Sequence, residues 1–168
     1  MDQFLGSVTD PSNLIITVTP APDQRALTII FSNAVVSIAA ATRSQLSGTI
    51  NNQTALQTKV ITLRIPYSTD QPNVVIRLSL RGNVNYLRTA LGVHVRLVAC
   101  VGDATEVVNL PSATSGDFLE AFQFTLQPHA AEPVCQITLF LLVEHDIDTD
   151  DAGGAVLSID SLDLEMNL

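Results

Sequence analysis

"VVIRLSLR", residues 74–81, decides the fold. Val74, Ile76, Leu78 and Leu80 share one parity, and Arg77, Ser79 and Arg81 share the other. A period of two marks a strand with one buried and one wet face, whereas a helix would repeat its apolar residues every three to four positions. The same alternation spreads outward from this stretch. "KVITLRI" (59–65) aligns Ile61, Leu63 and Ile65, and Pro66 is expected to end it. "VHVRLVACV" (93–101) aligns Val93, Val95, Leu97 and Ala99, and "CQITLFLLV" (135–143) aligns Ile137, Leu139, Leu141 and Val143. "FLEAFQFTL" (118–126) places Phe118, Phe122, Phe124 and Leu126 together. "LIITV" (14–18) and "LTIIFSNAVVSIA" (27–39) alternate less, as strands covered on both faces do.

The last segment, "AVLSIDSLDLEMNL" (155–168), changes phase. Ala155, Leu157 and Ile159 occupy one parity, and Leu162, Leu164 and Met166 the other. A one-residue slip swaps faces, so a β-bulge is expected near Asp160–Ser161. Clusters of Gly, Pro, Asn and Asp separate the runs, among them "TPAPDQ", "SGTINNQ", "LPSATSGD" and "QPHAAEP". Only "FSNAVVSIAAATRSQL" (31–46) has the Ala and Leu content for a short helix. The expectation is an all-β chain of eight or nine strands, folded as a two-sheet antiparallel β-sandwich of jelly-roll type. With 168 residues there is room for one domain with a real core, residues 14–168, preceded by an N-terminal segment, residues 1–13.

The net charge of −9 is unevenly spread. Residues 1–96 carry eight basic and four acidic side chains, while residues 97–168 carry thirteen acidic ones and no Lys or Arg. Either strands of the two halves interleave and pair their charges within one molecule, or complementary patches meet between neighbouring molecules. An acidic second half argues against nucleic-acid binding, which needs cationic surface. No apolar stretch reaches the length of a membrane-spanning helix, so membrane insertion is not expected. The start, "MDQFLGSVTDPSN", has neither a basic n-region nor an apolar h-region and does not read as a signal peptide. Cys100 and Cys135 allow one disulfide, but both lie in apolar strand contexts where buried free thiols are common.

"EHDIDTDDAGG" (144–154) places five carboxylates in eight residues. Asp146, Asp148, Asp150 and Asp151 could hold Ca²⁺, the cation suited to flexible all-oxygen coordination, with Asp160 or a loop carbonyl completing the shell. An EF-hand does not fit, because Asp151 stands where Gly is required and Leu157 where a bidentate Glu belongs. The favoured reading is a solvated hairpin end without metal, reversed at Gly153–Gly154. No cofactor is called for. No catalytic residues are assigned: His94, His129 and His145 lack a partner at metal spacing, and no nucleophile or phosphate-loop motif occurs. A hydrolase would need His145 or His129 beside paired carboxylates. A sugar platform of aromatic rings is poorly supplied, with no Trp, two Tyr and six Phe mostly on core parities. Loops could still bind glycans by hydrogen bonds. Phe4, Leu5 and Val8 in the N-terminal segment could bridge subunits by packing on, or adding a strand to, a neighbouring sandwich.

The second half, "VVIRLSLRGNV", "GVHVRLVACVGD", "FQFTL", "CQITLFLLVE" and "AVLSIDSLDLEM", resembles the jelly-roll surface proteins of bacterial spores and their tumour-necrosis-factor-like relatives over residues 74–168. The closing "SIDSLDL" also looks like the last strand of carbohydrate-binding jelly rolls. No collagen-like Gly-X-Y tail accompanies it. The resemblance implies a structural, non-enzymatic surface role and carries over no functional residue. The resulting expectation is a homomeric assembly that forms a surface layer, filament or shell, at an extracellular, spore-surface or virion location. The alternative is a carbohydrate-binding β-sandwich module.

Overall fold

The computed structural model describes residues 1–6, 8–10, 14–42, 56–110, 115–129, 133–146 and 151–166. They form strands β1 (Gln3–Phe4), β2 (Ile15–Pro20), β3 (Ala26–Phe31), β4 (Val35–Ile38), β5 (Ala41–Thr42), β6 (Leu56–Ser68), β7 (Val74–Leu87), β8 (Val93–Val101), β9 (Ala104–Leu110), β10 (Gly116–Leu126), β11 (Val134–His145), β12 (Asp151–Ala152) and β13 (Gly154–Met166). One sheet runs β1-β6-β11-β8-β9. The other runs β10-β7-β13-β3-β2, with β4 also on β13, and β5 and β12 make a short separate pair. Every pairing is antiparallel. The chain changes sheets from β6 to β7, β7 to β8, β9 to β10, β10 to β11 and β11 to β13, which is the alternating course of a jelly roll.

The two main sheets thus hold eleven strands among the described residues, against the eight or nine expected. β1 has two residues and β4 four, too few for alternation to be legible in sequence, and β9 is an edge strand exposed at most positions, with no buried alternating face to read. The "FSNAVVSIAAATRSQL" stretch opens as strand rather than helix, with Val36 and Ile38 inward and Val35 outward against β13. Its residues 43–46 lie outside the described residues.

Period-two burial holds where it was read. Leu78, Leu80, Ile61, Leu63, Ile137 and Leu141 have no accessible surface. The phase change in β13 is met by a register shift, with Ile159 opposite Gly82 and Ser161 opposite Arg81, leaving Asp160 as the extra, exposed residue. β6 runs through Pro66 instead of stopping there. Pro66 contributes only its carbonyl, which accepts from the Leu5 amide at 2.9 Å, and lies where the ladder to β11 ends at Val134.

The two halves interleave. β7 lies between β10 and β13, and Arg81 reaches Asp163 at 3.5 Å while Arg96 reaches Glu144 at 2.9 Å. Charge pairing across the halves is therefore intramolecular at these two places. Cys135 faces the core and Cys100, opposite Thr138, faces outward from the same sheet. Both are free thiols, since a sheet separates them.

Candidate functional site: a cleft at one end of the sandwich

Three chain segments converge at the end of the sandwich where β8 turns into β9. Gly102 and Asp103 make the two-residue hairpin between Val101 and Ala104. Gly102 adopts φ 59°, as the first central position of a type II′ turn requires, and this tight reversal presents Asp103 at the rim. The end of β10 continues as Gln127–His129, and Pro133–Val134 leads into β11. Between them opens a cleft of about 650 Å³, within the usual range for small-ligand sites.

The lining combines apolar surface with polar groups of different kinds. Leu126, Pro128, Val134 and Tyr67 supply the apolar part. Asp103 offers a carboxylate, Gln127 an amide, His129 an imidazole and Thr125 a hydroxyl. Tyr67 is anchored from β6, its amide donating to the Pro133 carbonyl at 3.0 Å. Burial raises the Tyr67 phenol above its ordinary range, and the neighbouring Cys135 sulfur adds to the shift, so the phenol stays protonated at neutral pH. Asp103 is the one acidic side chain among the described lining residues.

Of the residues singled out in the sequence, His129 lines this cleft and the others lie elsewhere. β1 lies on the edge of its own sheet, pairing Gln3 with Ser68 and Phe4 with Tyr67. Phe4 is 1% exposed in the domain's own core, Val8 packs partly buried against that core, and Leu5 remains exposed. The N-terminal segment therefore contributes a core side chain to its own domain.

In the acidic stretch, Asp148 and Asp150 lie outside the described residues, as does the side chain of Asp151. The described part folds inward: the Asp146 amide donates to the Gly92 carbonyl at 2.7 Å, and the Gly153 amide to the Leu91 carbonyl at 2.9 Å. His145 is buried, with Nε2 3.0 Å from the Gly153 carbonyl, which makes Nε2–H the donor. Among the described residues no group of acidic, His or Cys side chains gathers as a metal site.

Gly153 and Gly154 also differ from expectation. Neither has positive φ; both are buried, and a Cβ would stand 1.7 Å from the Thr89 carbonyl at Gly153 and 2.4 Å from the Ile38 carbonyl at Gly154. They permit close approach of backbones instead of a reversal. Sequence reasoning missed the cleft. Its one advance signal was the Pro-bounded "QPHAAEP" loop, and nothing in the sequence brings that loop to the Gly102–Asp103 turn.

The architecture is thus a two-sheet β-sandwich with a mixed polar and apolar cleft at one end. No family model matches the chain, and no curated protein does. Among solved structures it is similar to TmCBM61, determined with β-1,4-galactotriose, at 11% identity over 96% of this chain and 86% of that one, with a TM-score of 0.29. It is also similar to the CBM35 from Cellvibrio japonicus Abf62, at 10% identity over 98% and 87%, with a TM-score of 0.29. A third is the enzymatically active domain of bacteriophage CBA120 tailspike protein 4, at 8% identity over 96% of this chain and 19% of that one, with a TM-score of 0.28. The resemblance to spore-surface and tumour-necrosis-factor-like proteins has no counterpart in these three. No helix of the structure, among the described residues, is long and apolar enough to cross a membrane.

Proposed function

We propose that the chain is a non-catalytic carbohydrate-binding β-sandwich module whose ligand site is the cleft between the Gly102–Asp103 turn and the ends of β10 and β11. The observation that carries this reading is the mixture of groups in one concavity. A carboxylate, an amide, an imidazole and a hydroxyl surround apolar patches from Leu126 and Pro128, a pattern that suits a neutral ligand rich in hydroxyls. Asp103, the one carboxylate among the described lining residues, disfavours anionic ligands. Among the described lining residues no second carboxylate of the kind glycoside hydrolysis ordinarily uses stands beside Asp103, and the proposal is binding without bond cleavage. An extracellular or surface setting belongs to the same proposal.

The test is calorimetric titration of the full chain with a panel of neutral oligosaccharides, repeated on Asp103→Asn and Gln127→Ala. Each variant should weaken binding by about tenfold, the loss of roughly one hydrogen bond to a desolvated partner. Absence of binding at millimolar sugar, or binding indifferent to both substitutions, would remove this site.

A further inference from the structure

The outer face of the five-stranded sheet is built unlike a solvated one. Cross-strand partners place Val60, Phe140, Val98 and Val107 in a single row across β6, β11, β8 and β9. Leu142 stands beside Phe140 on β11, and Leu56 lies further along β6. Val60 is 45% exposed, Val107 54% and Leu56 40%. The next row is Thr62, Thr138, Cys100 and Thr105. Among the described residues the acid–base groups on this face are Arg64, His94 and the Arg96–Glu144 pair, which is joined at 2.9 Å within the chain.

The other sheet shows what a wetted face of this protein looks like. Its outward positions carry Arg77, Arg81, Asp163, Glu165 and Asp117, with Arg77 directly opposite Glu165; the exposed apolar residues there, Leu119 (58%), Ile30 (40%) and Val35 (39%), stand among these charges and not in one unbroken row. Antiparallel sheets open to water carry polar residues on that side. A contiguous apolar strip on a soluble surface marks an interface.

We propose that this face docks a second copy of the chain, face to face across a two-fold axis. Two observations select that occupant. The chain carries −9, so two copies repel over most of their surface; among the described residues this face holds one internally neutralised ion pair and two basic side chains, and juxtaposing these with their own copies brings no like-charged acidic groups together. Four strands about 4.8 Å apart and roughly nine residues long also give ~600 Å² per copy, or ~1,200 Å² for the pair, the lower bound of a specific interface. An isologous contact needs one self-complementary patch, which a flat Val/Thr/Leu surface supplies. The inference is independent of whether the cleft binds sugars.

Sedimentation equilibrium of the full chain from micromolar to near-millimolar concentration should show a particle twice the 18.0 kDa of one chain. Val60→Glu and Val107→Glu, both at exposed positions, should each raise the dimer dissociation constant by roughly a hundredfold, since the two-fold brings two copies of each introduced charge into the interface. Leu119→Glu, on the edge of the opposite sheet, should leave the equilibrium unchanged. A second readout needs no substitution: Cys100 lies on the proposed face, so its maleimide labelling should slow as protein concentration rises. A mass of 18.0 kDa throughout with concentration-independent labelling would overturn the proposal. So would a dimer that tolerates both Glu variants.

Discussion

Gly82→Ala separates propensity from packing, because the two predict opposite signs. By propensity, replacing a strand-interior glycine by alanine restricts the unfolded chain and stabilises by about 0.4–1 kcal/mol. In the structure Gly82 faces inward on β7 at the bulge of β13, and a Cβ there would stand 2.1 Å from the Ser158 carbonyl oxygen and 2.7 Å from Cζ of Phe118. Real Cβ atoms essentially never come closer than 3.0 Å, so the oxygen contact is nearly an ångström too short. Phe118 is partly buried at the margin of the core and has room to swing. The Ser158 carbonyl does not, because its residue is paired with Asn83 of β7 on one side and Val35 of β4 on the other. Relief requires β7 and β13 to separate at the centre of the six-stranded sheet. The cost belongs at the upper end of overpacking, about 3 kcal/mol net, against total stabilities of roughly 5–15 kcal/mol. For a chain of this length that is a fall of about 6–12 °C in Tm. Thermal and urea unfolding followed by circular dichroism measure it. Gly116→Ala is the control, since its added Cβ meets nothing within 4 Å and should be neutral or slightly stabilising. If Gly82→Ala melts at or above the wild-type temperature, the close approach of these strands is wrong and the reasoning fails.

Phe4→Ala should destabilise the isolated domain by about 3–5 kcal/mol, the cost of emptying a buried aromatic site, read as a lower urea midpoint at every protein concentration; a midpoint shift confined to assembled material would instead place Phe4 between subunits. Cys135 gives an alkaline signature. Burial pushes its thiol up to about 12 from 9.0, so its contribution is intact below pH 9 and is lost as pH rises toward 12, at no more than about 1.4 kcal/mol per pH unit. The stability gap between wild type and Cys135→Ala should therefore narrow with rising pH in that window; a constant gap would contradict the buried thiol.

The residue pattern by itself determined the strands and their inward faces. "VVIRLSLR" can bury its aliphatic side only as an extended chain, and the parity change at Asp160 demands a bulge wherever β13 is paired. These are local facts, because the side-chain period of a strand is set by its own backbone. The short strands β1 and β4 escaped notice because two to four residues carry no measurable period, and Pro66 was misread because its lost amide matters only where a ladder needs it. Partnership between distant segments was decided by the tertiary structure. Cys100 and Cys135 both sit in apolar strands, yet opposite parities put a sheet between them. Gly153 and Gly154 look like a turn until the Thr89 and Ile38 carbonyls are found against them. The cleft joins Asp103, twenty-odd residues before its nearest partners in the chain, to Gln127 and His129 and to Tyr67 from β6. The apolar row from Val60 to Val107 exists only once four strands lie in register. A strand's alternation says which of its residues face the same way; hydrogen-bond register says what stands beside them, and that is where the site and the proposed interface arise.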